Sequence, residues 1–469
     1  MKTIFIILLS SFTSLNAQKI WSLQECFDFA IENNISIKQI TLSKNFAENN
    51  VKQSKMNLYL PMANANVNEI FSFGNSVDPT TYQFIKQNTN STSFGINASY
   101  GLFEGLSKIN TLKGNKEKLS ATEFEIEEIK NSIKMAITNL YLQITIAKDV
   151  LQIAKETSLL TLSQYSNTKA LVDAGVQAKG TLFDIEAQVA NDEFNELTAQ
   201  NNLERALNQL KLLLQLDPYE EFEIQEINFE NELVDFNIDP KNTSTRAIEL
   251  MPQIKAADFR RKSAEYDLKI AKGSLFPSLS ISGNIGTRYF SEAQYVTGNK
   301  TIYNVFEIDV LGTKIPVKLP QDIPTLSKTP FMKQLGDNLN QNISIGLNIP
   351  ILGGWQRRTA IANAEINLLK SNLDIETKKN KIKEDVFIAY TDLKLAQKRF
   401  KASQKSAKAS NEAYHYANEK FKVGMMNSLE FETTRNRKIN AQSNLMQAKY
   451  DLFFKKLILD FYETGELKF

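Results

Sequence analysis

Two of the side-chain types that most often carry chemistry, imidazole and thiol, are nearly absent from this sequence. The 469 residues contain one histidine, His415, and one cysteine, Cys26. Any catalytic arrangement that needs an imidazole is restricted to His415, and a single cysteine forms no intramolecular disulfide. One His beside one Cys does not build a structural zinc site of the usual kind. His415 lies next to Tyr414 in a helical run with no second ligand in view. No phosphate loop, nucleophile elbow or dinucleotide fingerprint occurs. Gly101 and Gly105 have GxxxG spacing, but they sit at a strand-to-helix junction and not within an apolar helix. The lysines at 378, 379, 381 and 383, and the basic series Lys398, Arg399, Lys401, Lys405 and Lys408, read as solvated faces of one long helix. The expectation is a protein that is not an enzyme and holds no metal or cofactor.

What recurs instead is a small polar side chain at every second position. Asn64, Asn66, Asn68 and Ser72 alternate with Ala63, Ala65, Val67, Phe71 and Phe73, with Glu69 and Ile70 breaking the pattern. Ser93, Gly95, Asn97, Ser99 and Gly101 alternate with Phe94, Ile96, Ala98, Tyr100 and Leu102. Ser278, Ser280, Ser282, Asn284 and Arg288 stand opposite Leu279, Ile281, Ile285 and Tyr289. Asn342, Ser344, Gly346 and Asn348 stand opposite Ile343, Ile345, Leu347, Ile349 and Ile351. A period of two puts each set on one face of a strand. Amides and hydroxyls on one face keep it wet, as a water-filled lumen requires, and segments of about ten residues suit strands that cross a bilayer at a tilt. A soluble sandwich with one wet face gives the same alternation. Phe71, Phe73, Phe94, Tyr100 and Tyr289 lie near segment ends, like an interfacial aromatic girdle.

The elements that must position these faces follow from the rest of the chain. Lys and Arg number 55 against 53 Asp and Glu, so the net charge of +2 supplies no field to attract nucleic acid. With 42% hydrophobic residues, the chain has a sizeable core to bury. At the N-terminus, Lys2, the apolar run Ile4 to Leu9 and the ending Leu15-Asn16-Ala17 read as a signal peptide, residues 1–17. Cys26 follows Leu23-Gln24-Glu25 where a lipoprotein would have small residues, so it reads as a packed thiol on a short helix. Beyond residue 17 no apolar run is long enough for a membrane-spanning helix, so any crossing must use strands. Four strands do not close a barrel, which needs about eight. Several chains must therefore contribute, and arithmetic allows two or three.

Two long helical runs fill most of the remainder. In residues 107–171, Ile126, Ile133, Leu140, Ala147 and Ala154 recur at steps of seven, alongside Ile137, Ile144 and Leu151. In residues 356–421, Leu393, Phe400, Ala407, Tyr414 and Phe421 do the same, alongside Ala389, Ala396, Ser403, Ser410 and Ala417. A sustained step of seven means left-handed coiled-coil packing, and at 1.5 Å per residue either helix would reach on the order of 100 Å. Shorter helices near 35–59 and 180–215, and near 252–275 and 429–460, could stack end to end against them.

The two halves are copies. A shift of 249 residues carries Ile137, Ile144, Leu151, Tyr165 and Gly175 onto Val386, Leu393, Phe400, Tyr414 and Gly424. A shift of 216 carries Pro61 onto Pro277. The first repeat spans 18–216, with strands about 62–74 and 93–103; the second spans 246–469, with strands about 278–290 and 341–351. A link at 217–245 joins them. The loops between strands differ in length, and the second, about 291–341, holds Pro316, Pro320, Pro324 and Pro330, which predicts an irregular, exposed segment.

Secretory signal, duplicated strand-and-helix units, prolines opening strands, and the turns Asp173-Ala174-Gly175-Val176 and Phe421-Lys422-Val423-Gly424-Met425 together resemble the TolC family of outer-membrane efflux proteins. Trp21 to Cys26, Asn33-Asn34, Phe73-Gly74 and Val77-Asp78-Pro79-Thr80-Thr81 are similar to members from Bacteroidetes-type bacteria. The resemblance implies a mostly α fold with a membrane β-barrel part: a homotrimer in outer-membrane lipid, four strands per chain in a shared 12-stranded barrel, continuous with a periplasmic coiled-coil tunnel. It implies an exit duct of tripartite efflux or type I secretion, partnered by a periplasmic adaptor and an inner-membrane RND or ABC pump.

Under that resemblance Asn64, Asn66, Asn68, Asn97, Ser280, Asn284, Arg288, Asn342 and Asn348 would face the barrel lumen. The turns Ala174, Gly175, Val176 and Val423, Gly424, Met425 would dock the adaptor. The family places carboxylates six and nine residues beyond each turn glycine; here those positions hold Glu430 and Thr433, and Thr181 and Asp184, as gate candidates. Threefold symmetry would make Glu430 a ring of three carboxylates favouring cations. The plainer alternative is that Glu430 and Asp184 complement a helix N-terminus. A periplasmic coiled-coil adaptor or scaffold without its own pore is the competing reading.

Overall fold

A computed structural model describes residues 20–77, 82–86, 88–225, 238–310 and 312–467. The expected signal peptide, Asp78-Pro79-Thr80-Thr81 and residues 226–237 of the expected link lie outside them. In chain order the elements are β1 (Ile20–Trp21), α1 (Leu23–Asn33), α2 (Ile35–Met56), β2 (Met62–Ser72), β3 (Asn75–Val77), β4 (Phe84–Lys86), β5 (Thr89–Glu104), α3 (Ser107–Asp173) and α4 (Lys179–Leu214). There follow β6 (Glu223–Ile224), α5 (Pro240–Leu250), α6 (Pro252–Gly273), β7 (Ser278–Phe290), β8 (Gln294–Val310), β9 (Thr313–Lys328), α7 (Phe331–Asp337), β10 (Asn340–Asn348), α8 (Gln356–Lys422) and α9 (Ser428–Thr464). Within the expected link, β6 and the start of α5 form regular structure. The chain divides into a helical unit (Met1–Asn49, Lys116–Ser263, Leu368–Phe469) and a strand-bearing unit (Asn50–Asn115, Ala264–Asn367).

The helical unit has two main cores, and the sequence repeat generates both. Ile133, Ile137 and Ile144 of α3 are buried in the first with Leu210 and Leu214 of α4; Ile382, Val386 and Leu393 of α8 are buried in the second with Leu452 and Leu459 of α9. The shift of 249 maps Ile133, Ile137, Ile144 and Leu210 onto Ile382, Val386, Leu393 and Leu459. Each large apolar side chain so buried contributes about 1.5–3 kcal/mol. The first core is closed by α1, whose Ser22 caps it: Glu25 N–H donates to Ser22 Oγ at 3.2 Å and Ser22 N–H to Glu25 Oε2 at 2.8 Å. Cys26 is fully buried there beside Phe27 and Ala30. Asn34, between α1 and α2, donates its amide to the Leu213 carbonyl at 3.0 Å, so it ties the end of α4 to the start of α2.

Tyr141 of α3 is fully buried and its hydroxyl donates to the backbone carbonyl of Trp21 at 3.2 Å and of Gln225 at 2.5 Å. It thereby clamps the short parallel pair β1 and β6. Burial, with Cys26 close by, raises this phenol well above its ordinary range.

The strand-bearing unit is a four-stranded antiparallel sheet in the order β2-β5-β7-β10. One departure from strict alternation occurs, a bulge between Gly101 and Phe103: Gly101 pairs with Ser280 and Phe103 with Leu279. Leu102 is therefore the extra residue, and Phe103, not Leu102, continues the apolar face. At the strand-to-helix junctions Gly105 and Gly273 meet backbone to backbone; a Cβ on Gly105, whose φ is +60°, would lie 2.0 Å from the Gly273 carbonyl oxygen.

The segment 291–341 corrects the expectation of an irregular loop. β8 and β9 form an antiparallel ribbon from Gln294↔Lys328 to Val310↔Thr313, with one bulge between Val296 and Gly298. Prolines usually argue against a strand because they lack a donor. Here Pro316, Pro320 and Pro324 are spaced by four, so all present the same side of the backbone and can occupy outward-pointing positions of an edge strand. The exposure anticipated for the segment holds along most of the ribbon, while Gln334 in α7 is buried.

Candidate functional site

The polar side chains of the four strands fall into register. Asn64 pairs with Asn97, Asn97 with Asn284 and Asn284 with Asn342, one asparagine from each strand in a single row. Directly paired residues share a face. Successive rows on that face hold Asn68, Ser93 and Arg288; Asn66, Gly95, Gly286 and Asn340; Met62, Ser99, Ser282 and Ser344; Gly101, Ser280 and Gly346; and Glu104, Ser278 and Asn348. Asn97 Nδ2 donates to Asn66 Oδ1 at 3.0 Å, Asn284 Nδ2 donates to Asn97 Oδ1, and the Ser282 and Ser344 hydroxyls are 2.8 Å apart. The nine residues expected to face a lumen thus lie on one side of one sheet. The other side carries Leu279, Ile281, Ile285, Ile343, Ile345 and Leu347. Glu69 falls on this apolar side, near the strand end, where Thr92 donates its hydroxyl to the carboxylate. The strands β2 and β10 are the two edges of the sheet, each exposed along its length.

The two helical turns are built alike. Gly175 and Gly424 both have φ +75°. Val176 N–H donates to Leu171 O at 2.8 Å and Gly175 N–H to Val172 O at 2.9 Å; Met425 N–H donates to Lys420 O at 2.8 Å and Gly424 N–H to Phe421 O at 3.0 Å. This double bond pattern satisfies the last carbonyls of α3 and α8 and requires the left-handed residue that glycine supplies. Ala174 is exposed, and Val176, Val423 and Met425 are 70%, 68% and 80% exposed. The second turn is pinned by Phe421 stacked on Phe431 at 4.5 Å between ring centroids.

Of the gate candidates, Glu430 and Asp184 are exposed, Thr433 is exposed and Thr181 is half-buried. Glu430 stands in the first turn of α9, where Asn427 accepts its backbone N–H at 2.8 Å. That is also what a helix-starting carboxylate does. The start of α4 has no such side-chain cap.

A charged cluster that sequence reading missed lies deeper in the helical unit. Arg435 of α9 is 2% exposed. Its Nη1 donates to Thr161 Oγ1 at 2.7 Å and Gln164 Oε1 at 3.1 Å, both on α3, and its Nη2 to Asp192 Oδ2 of α4 at 3.2 Å. Glu432 Oε2 is 2.8 Å from the same Nη2. Gln188 and Thr161 also donate to Asp192. One guanidinium thus serves two carboxylates. Burial raises the Glu432 carboxyl above its ordinary range; the adjacent Arg435 opposes the shift and Asp192 adds to it. Beside the cluster a cavity of about 570 Å³ is lined by amides including Asn191, Asn195, Asn436 and Asn440. The only trace in sequence is an arginine three residues after a glutamate within a helix, a pattern shared by many solvated pairs.

A twice-repeated helical scaffold, an open sheet with one polar face and two glycine turns define an outer-membrane efflux channel subunit. The profile of the outer membrane efflux protein family matches residues 30–215 and again 243–453, and the chain belongs to that family. It is 22% identical over 428 residues to Toxin and drug export protein A of Aggregatibacter actinomycetemcomitans, covering 90% of this chain and 83% of that one. Among solved structures it resembles CusC with a TM-score of 0.74 at 18% identity, covering 97% of this chain and 96% of that one. The Campylobacter jejuni CmeC outer membrane channel matches with a TM-score of 0.72 at 17% identity over 94% and 85% of the two chains. The protein is accordingly an efflux channel of the outer membrane, with its helical part periplasmic.

Proposed function

We propose that three copies of this chain close into a 12-stranded barrel and form the passive exit duct of a tripartite efflux or type I secretion system. The observation that carries this reading is the open sheet. Its two edge strands, β2 and β10, run in opposite directions, so β10 of one copy can pair antiparallel with β2 of the next, and such a head-to-tail contact closes into a ring. Closure would satisfy both edges, as a bilayer demands. The face bearing the asparagine row would then line the lumen, and the apolar face would meet lipid.

In this assembly Gly175 and Gly424, with the exposed Ala174, Val176, Val423 and Met425, form the tips that meet a periplasmic adaptor coupled to an RND or ABC pump. Glu430 would form a threefold carboxylate ring at the gate, with Asp184, Thr181 and Thr433 around it. The test is the protein mass of the detergent-solubilised particle from outer membranes, by light scattering with the detergent subtracted. Three chain masses support the shared barrel; a monomer that needs no detergent removes it.

A further inference from the structure

The ribbon β8–β9 leaves the sheet between β7 and β10 as a free-standing hairpin with two unlike faces. One face pairs Ile308 with Ile315 and Phe306 with Val317, and continues through Leu319 and Ile323. The other pairs Asp309 with Lys314 and Thr301 with Asp322 and carries Glu307 and Lys318, with Lys314 3.1 Å from Glu307; Tyr303, Val305 and the three prolines of β9 are set among these charges. On the apolar face Phe306, Ile308, Ile315, Leu319 and Ile323 remain 52%, 49%, 46%, 51% and 42% exposed. Toward the tip, Phe306, Ile308, Ile315, Val317 and Leu319 make an apolar patch, bounded toward the stem by the hydrogen-bonded Asn304 and Gln321 and by Lys300 on the same face; a patch of that kind on the order of a few hundred Å² marks an interaction.

The stem holds the ribbon to its sheet. Gln334 of α7 is 3% exposed and bridges Phe290 and Thr329: it accepts from Phe290 N–H at 2.9 Å and donates to Phe290 O at 3.1 Å and Thr329 O at 2.9 Å. Thr329 N–H donates to Ala293 O at 2.8 Å, and Tyr289 packs on Phe331 at 5.0 Å between centroids.

Resting on the trimer reading, we propose that the apolar face of each β8–β9 ribbon is covered by the same faces of the other two copies, so that three ribbons join about the threefold axis beyond the barrel. Three features select this occupant. The ribbon connects β7 to β10, and β10 is the edge at which the next copy joins, so the contact continues the intersubunit seam. Pro316, Pro320 and Pro324 remove donors from the outer edge of β9, which disfavours edge-to-edge strand addition and leaves the face as the docking surface. Apart from Lys300, which pairs with Ile323 nearer the stem, the ribbon's charges sit on the opposite face with both signs interspersed, so identical ribbons meet at the tip without a like-charge field.

The experiment places one cysteine on each face of the full-length protein in outer membranes: Asn304→Cys, which shares the apolar face with Leu319, and Val305→Cys, opposite Lys318 on the polar face. The native Cys26 is buried. A short bismaleimide should shift the Asn304→Cys chain into covalent dimers, the largest product that one accessible thiol per chain allows, and leave the Val305→Cys chain monomeric. Before cross-linking, a water-soluble maleimide added to intact cells should label position 305 and spare 304. Equal labelling of both positions would show an open face and overturn the proposal. Protection of 304 without cross-links, with quenching by spin-labelled lipid, would assign the face to lipid and overturn it too. The particle mass separates the levels: a trimer with an open ribbon face refutes only this inference, whereas a particle of any other count refutes the trimer beneath it.

Discussion

Arg435 on α9 and Asp192 on α4 meet at 3.2 Å across 243 residues of sequence, with their side chains 2% and 5% exposed. The pair is part of a cluster with more negative than positive charge, since Glu432 shares the same guanidinium. Breaking a buried pair is costly because the remaining charge is stranded in low dielectric.

Unequal costs follow for the two partners. Arg435→Met strands two carboxylates and should destabilise by about 3–5 kcal/mol. Asp192→Asn leaves Arg435 with Glu432 and should cost less, on the order of 1–3 kcal/mol. Thermal unfolding in detergent, followed by circular dichroism, should rank them in that order. Adding Asp192→Asn and Glu432→Gln to Arg435→Met should recover much of the loss; equal costs for the two single variants would contradict the cluster as described.

Glu432 sets a sign for the pH dependence. Its folded-state carboxyl titrates above the ordinary value, so its contribution to stability is undiminished below the unfolded value and is lost as pH rises through the folded one. Glu432→Gln should therefore raise the thermal midpoint at neutral pH and leave it unchanged in acid below the ordinary carboxylate range. A gain of equal size at both pH values would count against this.

Glycine replacements should separate crowding from backbone conformation. Gly175 and Gly424 have open space where a Cβ would go, so Gly→Ala there costs only the left-handed strain, about 1–2 kcal/mol. Gly105→Ala adds a clash with the Gly273 backbone and should prevent correct assembly. Outer-membrane yield and resistance to protease are the readouts.

Glu430→Ala should weaken cation selectivity and widen the resting gate in bilayer recordings, with little change in stability, because Asn427 supplies the cap. Asn427→Ala should instead cost about 1 kcal/mol of stability and leave selectivity intact. Unchanged conductance and selectivity in Glu430→Ala would assign that residue to the helix start alone.

Features that depend on near neighbours along the chain were legible before any coordinates. The step of seven through Ile137 and Ile144, and its copy through Val386 and Leu393, specified two long helices and the residues at the centre of two cores. Alternation marked the four strands because side-chain direction in a strand is a local property. At Leu102 the inference failed, since a bulge depends on the partner strand. The ribbon at 294–328 is not legible locally, because proline reads as a breaker along the chain, whereas its tolerance here rests on which side of the backbone meets the partner strand.

The sequence by itself thus determined the repeat, the periods and the two glycine turns. Tertiary structure alone decided that the asparagines of four separate strands share one row, that β2 and β10 are left as edges, and that Arg435 finds Asp192 and Thr161. Register and buried ion pairs are relations between segments far apart in the chain. Their free energy exists only once the backbones are brought together, and no local pattern of residue types encodes which distant partner will be met.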